Sequence, residues 1–338
     1  MKTDTKIDKS LFEPVHIDSA KSEKIEKPSL SFWQDAWLRV RKNKGAIASM
    51  IILVILIIMA LVGPHLNGHD FEHQNLSHAN LPPRIQGIEN MGIFDGTSKM
   101  AGTEVNLYEQ KNISEYYWFG TDGLGRDLFT RLWKGTQVSL YIALLAAAID
   151  MLIGVAYGLI AGYYGGRVDD IMMRILEVLA GIPNLIVVIL MILVLEPGII
   201  SITIALTITG WIGMARIVRG QVLRYKNQEF VLASRTLGAK DGKIIAKHLL
   251  PNLAGVIIIN TMFTIPSAIF FEAFLSFIGL GLQSPLASLG TLIQDGYKTM
   301  RFSGYMLLFP AAVMSVLMIA FNLLADGLRD ALDPKMRD

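Results

Sequence analysis

Apolar residues in this chain gather into six long blocks divided by short charged segments. No charged residue lies between Lys44 and His65, Glu177 and Glu196, Glu196 and Arg216, His248 and Glu272, or Arg301 and Asp326. Asp150 alone interrupts the run from Lys134 to Arg167. A helix needs about 20 apolar residues to cross ~30 Å of hydrocarbon, so each block can cross once. The pattern predicts helices near 46–63, 139–162, 175–195, 198–216, 254–276 and 305–325. One such block fits a buried helix of a soluble protein, but six in one chain do not. The expected fold class is an all-α polytopic membrane protein with six transmembrane helices.

Charge sets the expected orientation, because Lys and Arg concentrate in cytoplasmic segments. Arg39, Arg41, Lys42 and Lys44 precede the first block. The segment between the fourth and fifth carries Arg216, Arg219, Arg224, Lys226, Arg235, Lys240, Lys243 and Lys247 against only Glu229 and Asp241. Arg329, Lys335 and Arg337 close the chain. An even number of spans puts all three on one face, so both termini are expected in the cytoplasm. Arg126, Arg131 and Lys134 run against this pattern, but they follow a long loop, and long loops translocate largely regardless of charge. The chain has 338 residues, 52% hydrophobic and 18% charged, with a net charge of +2 and no cysteine. The small net charge argues against a nucleic-acid partner. The missing thiols exclude disulfides and cysteine nucleophiles.

The remaining segments divide by composition. Residues 1–30 are polar and lysine-rich and read as a disordered cytoplasmic tail. In 31–45, Phe32, Trp33, Trp37 and Val40 followed by basic residues read as an amphipathic helix lying at the membrane interface. The first span covers 46–63 and an extracytoplasmic loop 64–137. Five further spans form a core over 138–328, interrupted by a cytoplasmic loop at 217–252, with a short cytoplasmic tail at 329–338. In the outer loop His65, His69 and His73 fall at i, i+4 and i+8, a spacing that would line up metal ligands on a helix. Pro64, Gly68 and Pro82-Pro83 argue against such a helix.

The stretch from Glu229 to Asn252, EFVLASRTLGAKDGKIIAKHLLPN, reads as two short helices about a bend at Gly238, with Pro251 at the entry to the next span. It resembles the "EAA" loop of binding-protein-dependent ABC permeases. Leu232-Ala233-Ser234, Gly238 and His248-Leu249-Leu250-Pro251 stand at the motif's positions, with Leu232 in place of its Glu, Ser234 in place of its second Ala and His248 in place of its Ile. Residues 119–127, FGTDGLGRD, resemble a signature found before the second span in C-type subunits of oligopeptide and dipeptide permeases; it comprises Gly120, Thr121, Asp122, Gly125, Arg126 and Asp127. Glu272–Gly281 and the ending from Asn322 to Pro334 resemble the same subfamily.

This resemblance implies an ABC importer type I-like permease fold. It also implies a permease subunit for oligopeptides, with dipeptides, nickel or another small solute as alternatives. ATP and Mg would reside on two partner ATPase subunits, alike or different, with no cofactor in this chain. The other implied partners are a second homologous permease, an extracytoplasmic peptide-binding protein, the peptide and membrane lipid. The segment Glu229, Phe230, Leu232, Ala233, Ser234, Arg235, Leu237, Gly238 and Ala239, with Pro251, would couple to an ATPase. No Gly-x-x-x-x-Gly-Lys-Ser/Thr run is present to bind ATP here.

Ionisable and polar residues inside spans are the remaining candidates. Asp150 stands one turn before Gly154, Gly158 and Gly162, a small-residue stripe on which another helix can pack closely. It either bonds a neighbouring helix or lines the passage. Asn260, Thr264 and Ser267 share one face of the fifth span, with Thr261 and Glu272 to one side. They either line the passage or bond between helices. An intramembrane enzyme would need paired catalytic groups, and Asp150 and Glu272 are the candidate acids.

Overall fold

The computed structural model describes residues 31–100 and 103–332. The expected N-terminal tail, Lys335, Arg337 and the final Asp333-Pro334 lie outside the described residues. The described residues are mainly helical: α1 (Phe32–Lys42) and α2 (Lys44–Val62) are followed by a largely irregular segment that leads to α3. Next come α3 (Leu128–Tyr164), α4 (Gly166–Ala180), α5 (Asn184–Leu195), α6 (Ile199–Tyr225) and the short α7 (Glu229–Thr236). The last elements are α8 (Asp241–Phe277), α9 (Leu289–Thr299) and α10 (Tyr305–Leu332). Among the described residues five helices (α2, α3, α6, α8 and α10) are long and apolar enough to cross a membrane. A sixth span is formed if α4 and α5 count together.

Three boundaries differ from the sequence expectation. The span expected at 175–195 is two helices bent by 78°. The break falls at Gly181-Ile182-Pro183, where proline removes a helical N–H and disfavours helix in the residue before it. The helix that carries the second span starts at Leu128, well before 139, because Asp127 caps it: its side chain accepts from the Thr130 N–H at 2.7 Å. The fifth span and the second short helix of the 229–252 loop are one helix. A π turn at Ile245–Leu249 joins them, the Leu250 N–H bonding the Ile245 carbonyl. The wide turn accommodates Pro251, which has no N–H to donate, and the Asn252 amide takes up the His248 carbonyl at 2.6 Å.

The seam between α3 and α6 holds the bundle together. A side chain at Gly154 would meet the Met214 Cβ at 2.6 Å, and one at Gly158 or Gly162 would meet the Cβ of Val218 or Val222 at 2.8 Å. The glycine stripe is therefore a packed surface, and α6 is the helix that uses it. At one end of this seam Asp169 and Arg219 pair through two hydrogen bonds of 2.5 and 2.6 Å. α1 lies against α10: Ala36 and Val40 turn inward, and Val40 packs with Ala46 and Ala331. Trp33 and Trp37 are about half exposed.

The segment between α2 and α3 is ordered by local bonds. A two-stranded antiparallel hairpin pairs Thr97–Met100 with Thr103–Asn106, an addition to the all-helical expectation. Leu81, Leu107, Tyr108 and Tyr117 form a small core beneath it. The segment 65–78 is not a continuous helix, so its histidines do not share a face. His69 stacks on Tyr117, with ring centroids 4.6 Å apart, and His78 bonds the Tyr117 hydroxyl at 2.8 Å.

Candidate translocation site and coupling loop

The FGTDGLGRD turn is built by its own side chains. Asp122 accepts from the N–H groups of Leu124 and Arg126 and from Arg126 Nε at 2.7 Å. Thr121 Oγ1 accepts from the Leu81 N–H and donates to the His78 carbonyl. Gly120 and Gly125 both adopt positive φ, and Gly125 presses against the Asn75 carbonyl, where no side chain would fit. Arg126 reaches Ser284 Oγ at 3.0 Å, and Tyr305 donates to the Thr121 carbonyl at 2.9 Å. The signature is thus a clamp tying the segment between α2 and α3 to the α8–α9 connection and to the start of α10. Burial pushes the Asp127 carboxyl above the ordinary carboxylate range, against hydrogen bonds from Thr130 and Asn67 that favour its charged form. Arg131 is buried beside this clamp and donates to the Phe71 carbonyl at 3.1 Å. Sequence reading gave it no role beyond its charge.

A cavity of about 390 Å³ opens between α3, α5, α6 and α8. Asp150, Asn260, Thr264 and Ser267, which the sequence named separately, all line it. Pro266 does not disturb their shared face. Asn184 and Gly210 also line it, and neither was singled out as a passage residue. Asn184 enters because the Pro183 break starts a new helix there, and Thr209 holds its amide oxygen at 2.6 Å. Gly210 gives Asp150 its room: any side chain at 210 would collide with the carboxylate.

Glu272 is not part of this cavity. It is 0% exposed and is held by Ser139 at 2.9 Å and Ser276 at 2.8 Å. Ser139 in turn accepts from the Leu289 N–H, so the carboxylate sits in a network that fastens α3, α8 and α9 together. It is also absent from the residues around Asp150, and the two acids are not brought together as a catalytic pair would require. Among the described residues no group of three or more His, Asp or Glu is arranged to hold a metal ion.

The 229–252 loop has one buried anchor and an outward face. Val231 is 0% exposed and packs with Leu159, Tyr163, Val218, Val222 and Ile244. Arg235 lies over the Tyr163 ring at 5.6 Å, Tyr163 donates to Asp241 at 2.6 Å, and Ser234 stands 3.3 Å from His248 Nε2. Glu229, Phe230, Leu232, Ala233 and Leu237 are exposed, Leu237 at 88%. Gly238 has φ +77° and ends α7 with paired bonds, its own N–H to the Arg235 carbonyl and the Ala239 N–H to the Ser234 carbonyl. This is a Schellman ending, whose left-handed residue is usually glycine. Pro251 is exposed just past the π turn.

Comparison with known proteins agrees with this architecture. The family described as "Binding-protein-dependent transport system inner membrane component" matches residues 154–338. "N-terminal TM domain of oligopeptide transport permease C" matches 31–83. The dipeptide transport system permease protein DppC of Bacillus subtilis is 51% identical over 94% of this chain and 90% of its own length. The oligopeptide transport system permease protein OppC of the same organism is 47% identical over 98% and 99%. OppC of Escherichia coli is 37% identical over 94% and 95%. A chain of the MetNI methionine ABC transporter, solved in an inward-facing conformation, shares the fold with a TM-score of 0.50 at 18% identity, over 60% of this chain and 96% of that one. This multi-pass membrane protein belongs to the binding-protein-dependent ABC importer permeases, as a C-type subunit of the oligopeptide and dipeptide transport branch.

Proposed function

We propose that this chain is one of two permease subunits through which short peptides enter the cell, driven by ATP hydrolysis on two associated ATPases. The names of its relatives divide between dipeptide and oligopeptide systems, and short peptides are the substrate class they share. An external peptide-binding protein delivers the cargo to the face carrying the 64–127 segment. The ATPases engage the opposite face, which carries both termini and the 229–252 loop.

The observation that carries the coupling is the apolar cluster around Val231. It joins α7 to α3, α6 and α8 through Leu159, Val218 and Leu253, and these three helices also form most of the cavity wall. Interiors this densely packed transmit displacement. Movement of an ATPase against the exposed side of α7, at Phe230, Leu232 and Leu237, therefore reaches the helices carrying Asp150, Asn260 and Thr264. The segment Glu229–Ala239 acts as the coupling element, and alternating closure of the two ends of the cavity is the transport step. Gly120 to Asp127 act as a structural clamp on the outer side rather than as a phosphate loop.

The test is reconstitution of this chain with its partner permease, ATPases and binding protein in proteoliposomes. Labelled trialanine should accumulate only when ATP and the binding protein are both supplied. Uptake of no di-, tri- or pentapeptide by an assembled, ATP-hydrolysing complex would refute the reading.

A further inference from the structure

Asp150 is the one acidic or basic residue lining the α3–α5–α6–α8 cavity among the described residues. The residue is 5% exposed, and its Oδ1 is buried without a hydrogen-bond partner. A carboxylate in a membrane-spanning helix is costly unless something cationic or strongly donating meets it. No Lys, Arg or His of the described chain lines the cavity to do so.

The two hydroxyls of the wall have their protons committed elsewhere. Thr264 donates its hydroxyl proton to the Asn260 carbonyl at 3.0 Å, and Ser267 donates to the Phe263 carbonyl at 2.9 Å. Asn260 spends an amide proton on the Val256 carbonyl at 2.7 Å. A hydroxyl has one proton and two lone pairs. With its proton committed to its own helix, each oxygen can only accept. The cavity therefore offers a carboxylate, two hydroxyl oxygens and the Asn260 amide oxygen, beside the remaining amide N–H groups of Asn184 and Asn260; its one formal charge is negative, which suits a group with several N–H donors and a positive charge. Gly210 reinforces this: the space occupied by the Asp150 carboxylate exists because position 210 has no side chain.

We propose that Asp150, with the acceptor oxygens of Asn260, Thr264 and Ser267, holds a primary ammonium group of the cargo as it passes through the membrane. The inference rests on the peptide-import reading. A peptide of any sequence carries an N-terminal ammonium, so one carboxylate serves cargo of varied composition. The apolar remainder of the wall, including Phe263 and Phe271, tolerates varied side chains. The ammonium has two sources, the peptide N-terminus and a lysine side chain, and the test separates them.

The reconstituted complete transporter is prepared with wild-type chain, Asp150→Asn and Asp150→Glu. Asp150→Asn keeps the shape and removes the charge. It should lower trialanine uptake by about tenfold or more, the usual worth of a hydrogen bond to a charged group. Assembly and binding-protein-stimulated ATP hydrolysis should persist. Asp150→Glu should keep a larger share of uptake. In a second arm, a membrane-permeant carbodiimide is added to wild-type transporter during turnover, so that it activates the carboxyl, and an amine in contact displaces the activated group to form an amide and release the reagent as its urea. Mass spectrometry should find trialanine attached at Asp150. N-acetyl-trialanine should not attach. An N-acetylated peptide containing lysine attaches only if the side-chain ammonium also reaches the site.

Wild-type uptake by an assembled Asp150→Asn transporter overturns the proposal, and so does the absence of any amide at Asp150 with free-amine peptides. Loss of assembly in both variants assigns Asp150 to structure and overturns it too. Absence of peptide uptake by the wild-type transporter instead refutes the import reading beneath it. That result is distinct from normal wild-type uptake with an unaffected Asn variant.

Discussion

Gly238 separates two demands that a glycine can meet, a backbone shape and an open space. Within the chain the shape is the demand, because φ is +77° and a Cβ at this position would meet nothing within 4 Å. Holding a side-chain-bearing residue in the left-handed region costs about 1–2 kcal/mol. Asn pays less than Ala because its side chain bonds locally, and β-branched Val pays more. A cost of this size shifts the population of the Schellman ending by about 5- to 30-fold. The ending sets the direction of Leu237 and Ala239 and hence the pose of the α7 face. Peptide uptake in proteoliposomes and co-purification of the ATPases should therefore fall in the order Gly, Asn, Ala, Val, with all four proteins reaching the membrane. If crowding by a docked partner were the constraint, damage would follow size and Asn would be worse than Ala. That reversed order, or full uptake and coupling in Gly238→Val, would refute the reasoning and remove the loop from the mechanism.

Gly158→Leu should lower the thermal midpoint of the purified chain, because its Cβ alone would lie 2.8 Å from the Val218 Cβ. Overpacking of this kind costs about 1–3 kcal/mol. Gly220→Ala, which meets nothing within 4 Å, is the control and should leave the midpoint in place. Burial raises the Asp127 carboxyl above its ordinary value, so the folded state holds that proton more tightly than the unfolded state does. The contribution of this group is present below the ordinary carboxyl pKa and is lost as pH rises through the raised one. Asp127→Asn should therefore be relatively more stabilising at neutral than at acidic pH in thermal melts, and a pH-independent difference would refute the assignment. In the cysteine-free chain, Ser98→Cys and Ser234→Cys should react with an impermeant reagent from opposite sides of intact cells; labelling of both from one side would overturn the proposed topology.

Much of the architecture is legible in one dimension, because hydrocarbon demands that backbone groups be satisfied within each span. Five of the six apolar blocks became single helices long enough to cross, and the sixth became the bent α4–α5 pair. The glycine spacing on α3 announced a close helix contact, and the periodicity of Asn260, Thr264 and Ser267 announced a common face. Local chemistry also marked the bend at Gly238, since a glycine between two helical patterns is a stop signal whatever surrounds it.

Other features depend on which helices meet, and periodicity carries no information about partners. Tertiary packing chose α6 as the helix on the glycine stripe. It brought Asn184 and Gly210 to Asp150, and it turned Glu272 away into a serine network with Ser139 and Ser276. Asp150 and Glu272 look alike in sequence, each a lone acid in an apolar run. One has its hydrogen-bond needs met by neighbouring hydroxyls and fastens helices, while the other keeps an unpartnered oxygen at a cavity, and only the placement of surrounding donors distinguishes them. The 78° break at Gly181–Pro183 sits between these cases: Pro183 signals a weak point, but that α5 packs against α6 beyond the break is not written in the local sequence.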